Sequence, residues 1–167
     1  MRLFLGTFAK IYEYEKFQKE FNKHFDGNWT KEENLHTTIK FIGDIDDVTP
    51  IKEALSNITY LRYKRVEFND LELFEIPNKI LYCTTKSQEL ESLHNEVLNR
   101  LNFLDLESKE FIPHITLLRI KQIKDDSYKE YLKSFEDRKV GYLKLKLVLV
   151  KSTLTSNGPI YEIIEEF

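Results

Sequence analysis

The 167 residues include a single cysteine, Cys83. One thiol can form neither an intrachain disulfide nor a cysteine metal cluster, and such scarcity fits a reducing compartment. Long hydrophobic runs are missing as well, none approaching the roughly 18 residues needed to cross a bilayer. The opening stretch MRLFLGTFAKIYEYEK soon turns acidic and lacks the apolar core of a secretory signal. A soluble, cytoplasmic protein with no membrane partner is expected. Charge of one sign is lacking too: 25 Lys and Arg face 28 Asp and Glu, a net charge of −3. That balance excludes a sequence-independent nucleic-acid binder, which needs a broad basic surface to neutralise phosphates. It leaves room for an enzyme that grips one phosphate locally. Neither His-x-His nor His-x-x-x-His occurs, so a metal hydrolase has no local ligand set, and no metal or cofactor is expected.

What is present is apolar surface, 41% of residues with 13% aromatic, enough for one core shared by the whole chain. Arg2–Phe8 reads as a buried strand. Tyr14, Phe17, Phe21 and Phe25 recur at three- and four-residue steps, the stripe of an amphipathic helix. Asn34–Ile42 reads as a strand closed by Gly43-Asp44. Thr49-Pro50 opens a helix, with Thr49 as its N-cap. Strand-like sequence from Val66 to Ile76, broken near Asn69-Asp70, ends in a Pro77-Asn78 turn. Lys79–Thr84 is a short strand, and Leu90, Leu93, Val97, Leu98 and Leu101 trace a long helix. Ile112–Arg119 is a strand. Ser127 and Glu130 have capping-box spacing before another helix. Leu145, Leu147 and Leu149 alternate as in a half-buried strand, and Pro159–Ile164 is the last one.

That order of elements runs twice, and residues recur at a fixed offset. Leu3 and Leu81, His36 and His114 (114 − 36 = 78), Thr38 and Thr116, and Thr49 and Ser127 share it. Helices and later strands drift from it. The expected fold is α+β: a single domain over residues 1–167 built from two pseudo-symmetric halves, about 1–78 and 79–167. Antiparallel sheets would line a central cleft, with helices packed outside.

Two tripeptides carry the chemistry, His36-Thr37-Thr38 and His114-Ile115-Thr116. On a strand, side chains two apart share a face, so each strand presents an imidazole beside a hydroxyl. A two-fold axis would bring both pairs into one cleft. Two imidazoles with ordinary values near ~6.5 can divide acid and base work. Opening a cyclic phosphodiester with water needs that division: a base for the water, an acid for the departing ribose oxygen, and hydroxyls for the phosphate oxygens. His24, near the end of the first helix, and His94, on the apolar face of the long one, have no Thr two residues on.

These motifs resemble those of the two-histidine (2H) phosphoesterase superfamily, in its RNA 2′,3′-cyclic phosphodiesterase or 2′-5′ RNA ligase-like branch. The similarity includes RLFLG at the start, Trp29 through Glu33-Asn34-Leu35-His36 to Phe41-Ile42-Gly43-Asp44, and Phe111-Ile112-Pro113-His114-Ile115-Thr116-Leu117-Leu118-Arg119. Gly158-Pro159-Ile160-Tyr161 fits as well. The resemblance implies that an RNA 2′,3′-cyclic phosphate end is hydrolysed to a 2′-phosphate. In it His36 donates a proton to the leaving O3′, His114 accepts one from water, and Thr38 and Thr116 hydrogen-bond the phosphate. Arg119 would help bind that phosphate, although strict alternation puts it on the face opposite His114. Lys40 is the alternative on the histidine face, and Phe41 occupies the place of Arg119 in the first half. Trp29 is open to two roles, contacting a base or capping the core. The run Arg62-Tyr63-Lys64-Arg65 reads as a solvated strand edge that could also steer RNA. An RNA end is the expected partner of a monomer. Other readings are 2′-5′ ligation, hydrolysis of another cyclic phosphate, and an RNA-end binding module without turnover.

Overall fold

The computed structural model describes residues 1–75 and 78–167. Strand β1 (Arg2–Ile11) leads into helix α1 (Tyr14–Phe21), strand β2 (Phe25–Trp29), a 3₁₀ turn at Glu32–Asn34, strand β3 (His36–Asp44) and helix α2 (Thr49–Leu55). Strands β4 (Arg65–Phe68), β5 (Asp70–Phe74) and β6 (Ile80–Thr84) follow, then helix α3 (Gln88–Arg100) and strand β7 (His114–Ile123). Helix α4 (Tyr128–Lys133) and strands β8 (Gly141–Lys144), β9 (Val148–Thr155) and β10 (Gly158–Glu166) complete the chain. The Pro77 part of the expected Pro77-Asn78 turn, and Ile76 before it, lie outside the described residues. Among those residues no helix is long and apolar enough to cross a membrane.

The strands form one antiparallel sheet in the order β10-β9-β1-β3-β7-β6-β5. Its centre is narrow, β3 and β7 meeting at Thr37 and Ile115. On either side stand two matching triplets, β9-β1-β3 and β7-β6-β5. The outer strand of each comes from the other part of the chain: β5 pairs with β6, and β9 with β1. β8 pairs with the far end of β1 and with β4, and β2 pairs with β7.

β1 is apolar on both faces because each has something to cover. Leu3 and Leu5 join the main core with Leu90, Leu93 and Val97 of α3. Phe4, on the opposite face, forms a smaller cluster with Val148 and Val150, against which Phe8 and Tyr161 pack. The helices thus cover one side of the sheet, and the other side is left for a site.

Local details depart from the sequence reading in physically clear ways. Phe25 does not continue the first helix but starts β2; its ring still stacks on Phe21 at 6.2 Å, which is why the spacing looked helical. Thr49 is the first residue of α2 rather than its cap: the Asp47 carboxylate accepts the Thr49 N–H at 2.9 Å. Asp125 does the same for Ser127 at 2.8 Å, so the expected capping box does not form. Ser87 caps α3 by accepting the Leu90 N–H at 3.1 Å. Leu145 and Leu147 lie in the link between β8 and β9, while Leu149 is in β9, all three leucines being buried.

Candidate active site

His36 opens β3 and His114 opens β7, and the Thr37 hydroxyl donates to the His114 carbonyl at 3.2 Å across the central seam. Each imidazole is fixed in the same way. Nδ1 of His36 lies 2.7 Å from the Asn34 carbonyl, and Nδ1 of His114 lies 2.8 Å from the Ile112 carbonyl. A carbonyl only accepts, so each Nδ1 carries the hydrogen and each Nε2 is left free to take or give a proton. Asn34 is itself held, its amide donating to the Pro159 carbonyl at 2.9 Å.

Pairing sets which residues share that face. His36 lies opposite Phe8 and Thr38 opposite Gly6; His114 lies opposite Thr84 and Thr116 opposite Tyr82. Register then slips in both strands. Between Gly6 and Leu5 the partner jumps from Thr38 to Lys40, passing over Ile39; between Tyr82 and Leu81 it jumps from Thr116 to Leu118, passing over Leu117. A bulge of this kind reverses the alternation beyond it. Arg119, opposite Ile80, therefore shares the face of Tyr82, Thr116 and His114. Phe41, opposite Phe4, shares the face of Thr38 and His36. Strict alternation gives the wrong face for Arg119. Lys40 leaves the histidine face, is buried, and donates to the Glu107 carbonyl. The carbonyl of bulged Ile39 faces Nδ1 of His94 at 2.7 Å, so that helical histidine braces the bulge as well as packing against Phe111.

The walls are aromatic, and no pattern in the sequence assigned these rings to a site. On one side Phe4, Tyr161 and Phe8 stand 4.8, 5.2 and 6.4 Å from the His36 ring. On the other, Tyr82 and Phe74 stand 5.7 and 6.4 Å from His114. The one available signal was the repeat, since Phe4 and Tyr82 share its offset. Tyr82 donates to the Glu72 carboxylate at 2.7 Å. Burial raises the Tyr161 hydroxyl above its ordinary value, opposed by the positive charges of Arg119 and Arg2. Arg119 is thus within electrostatic reach of a ring that touches His36. Burial pushes the His36 imidazole below its ordinary value; the Asn34 carbonyl opposes this, and the charge on His114 adds to it.

Trp29 is turned to the core, its indole N–H donating to Asn22 at 2.8 Å and its ring packed on Tyr14 and Phe17. His24 meets Ser127 at 3.0 Å. Arg65 pairs with Glu67 at 2.7 Å. Among the described residues no cluster of three or more His, Cys, Asp or Glu is arranged to hold a metal ion.

The family model described as "LigT like Phosphoesterase" matches the chain twice, over residues 11–82 and 84–161. A protein of Aquifex aeolicus named RNA 2′,3′-cyclic phosphodiesterase is 32% identical, the match covering 100% of this chain and 96% of that one. One of the same name from Methanocaldococcus jannaschii is 31% identical, covering 93% of this chain and 91% of the relative. Among solved structures, E. coli LigT complexed with 3′-AMP superposes with a TM-score of 0.74, covering 99% of this chain and 96% of that one; at 19% identity this likeness speaks to the fold.

Proposed function

The chain belongs to the LigT-like phosphoesterase family, and on that premise we propose that it hydrolyses RNA 2′,3′-cyclic phosphate ends to 2′-phosphates between His36 and His114. The observation that carries this reading is the pair of imidazoles, each tied through Nδ1 to a carbonyl two residues back and each free at Nε2. Nε2 of His114 takes a proton from water as its oxygen bonds to phosphorus. The bond from phosphorus to O3′ breaks, and Nε2 of His36 supplies the proton that O3′ needs. The Thr38 and Thr116 hydroxyls donate to the phosphate oxygens, and Arg119 balances their charge. Burial disfavours the His36 imidazolium in the free protein, and the anionic phosphate arriving beside it offsets that cost. Incubation with short RNAs ending in 2′,3′-cyclic phosphate tests the reading: the expected product is the 2′-phosphate alone, and an unaltered RNA would overturn it.

Thr38→Val, Thr116→Val and Arg119→Ala should each lower kcat/KM by roughly ten- to a hundred-fold, the scale of one hydrogen bond to a charged group. All three should fall short of the loss caused by removing a histidine. Lys40→Ala should leave the rate of turnover close to parental. Equal rates for Arg119→Ala and the parent would remove the arginine from the phosphate site. Acid–base transfer between imidazoles uses no metal, so turnover should persist in EDTA. Loss on chelation that a divalent cation restores would rule out the scheme.

A further inference from the structure

The cleft face does not end at the imidazoles. β1 carries it past Phe8 to Lys10, where β8 pairs and places Tyr142 opposite Lys10. A pocket of about 420 Å³ opens at this place, lined by Phe8, Lys10, Tyr142, Lys144, Lys146 and Glu166 among others. It abuts the catalytic cleft through Phe8, whose ring lies against His36. Its charge is unlike that of the chain as a whole, which is net acidic. Lys146 is paired with Glu166 at 2.8 Å, and Glu67 with Arg65, whose guanidinium lies over the Tyr142 ring at 3.6 Å. Among the described residues Lys10 and Lys144 form no ion pair, and both are exposed. Two free cations and two aromatic rings thus line the floor leading away from His36. The opposite exit, past His114, is bounded by Tyr82 and Phe74 and by the carboxylate of Glu72.

We propose that this groove binds the single-stranded RNA segment 5′ of the reacting end, with bases against Phe8 and Tyr142 and phosphodiesters beside Lys10 and Lys144. The proposal rests on the reading of the two-histidine cleft as the seat of the cyclic phosphate. A 2′,3′-cyclic phosphate closes the 3′ end of its strand, so the rest of the strand leaves the cleft in one direction. Both exits carry aromatic rings on which bases can stack, and charge separates them: the one with two unpaired lysines attracts a polyanion, and the one with the Glu72 carboxylate repels it. The enzyme would then read a strand and not only a terminal nucleotide.

The test compares 2′,3′-cyclic AMP with an RNA tetramer ending in a 2′,3′-cyclic phosphate, for the parent and for the Lys10→Ala/Lys144→Ala double variant. Both lysines are exposed, and a thermal melt checks that the variant folds. The parent should prefer the tetramer. The double variant should lose roughly tenfold or more in kcat/KM on the tetramer while keeping the mononucleotide rate. Its log–log salt slope on the tetramer should become shallower by about 1.4, about 0.7 for each phosphate no longer neutralised. Equal rates on the two substrates in the parent, or equal effects of the double variant on both, would overturn the groove. Should neither substrate turn over, the two-histidine reading fails by itself. Fluorescence anisotropy of a 5′-labelled tetramer ending in 2′-phosphate then decides the groove: weaker binding by the double variant supports it, and unchanged binding overturns it.

Discussion

Alanine in place of His36 or His114 is expected to slow turnover of a cyclic-phosphate RNA end by roughly 10²–10⁴-fold, the range for losing a general acid or base. Each substitution removes an Nε2 that has no understudy: His94 is buried on α3 against Phe111, and His24 lies beside Ser127 and Tyr131. Because the two groups act in one concerted proton exchange, the double variant should be about as slow as the slower single one, not the product of both losses. Two single variants with near-parental rates would show that the site lies elsewhere. Stability provides an internal control. The folded-state value of His36 is depressed, so its contribution is fully present above the unfolded value near 6.5 and is lost as pH falls through the depressed one. His94 is depressed too, by burial first and then by the charge of Lys40, with the Ile39 carbonyl and Glu91 opposing. The parent should therefore lose Tm on acidification from about pH 7.5 to 5, and His36→Ala should lose less. An equal loss in both proteins would remove His36 from this linkage.

Much of the candidate site was legible because its residue pattern repeats. Two His-x-Thr pairs on strands at one offset required only that side chains alternate, and β3 and β7 do alternate over those three residues. The same rule failed three residues later. Nothing in Thr-Ile-Lys-Phe or Thr-Leu-Leu-Arg marks Ile39 or Leu117 as bulged, since a bulge is set by how the neighbouring strand pairs, and at Ile39 also by the His94 brace on α3. The face on which Arg119 lies could thus not be read from periodicity, and Lys40 was attractive for a reason the backbone cancels. Element order could be read from apolar spacing and turn residues, whereas the pairing of β5 with β6 and of β9 with β1 could not. Sequence shows which strands exist; which edges they find depends on contacts far apart in the chain. The helix starts failed on a smaller scale: Asp47 and Asp125 precede the polar residues that propensity favours and reach the N–H groups at each helix start.

The second large effect concerns pH. One imidazole must begin neutral and the other protonated, so only singly protonated pairs react. kcat/KM should be bell-shaped, falling about tenfold per unit on each limb, and the limbs report the coupled pair and not one residue each. The optimum should fall between mildly acidic and neutral pH, the region in which unperturbed imidazoles titrate (~6.5). Burial adds a specific consequence. The imidazolium form of His36 is disfavoured by burial in the free protein, so if His36 is the acid, burial lowers the share of singly protonated molecules that holds the proton in the productive place. That share does not depend on pH. It lowers the height of the kcat/KM bell and leaves its limbs where the pair titrates. Bound phosphate favours the charged form of His36, so the basic limb of kcat should lie at higher pH than that of kcat/KM. His36→Ala should abolish the basic limb and His114→Ala the acidic one, measured on whatever residual rate remains. The opposite pattern would exchange the two roles and keep the site. A flat profile from about pH 5 to 9 in the parent, with chemistry shown to be rate-limiting, would leave no role for a pair of imidazoles that exchange protons with substrate.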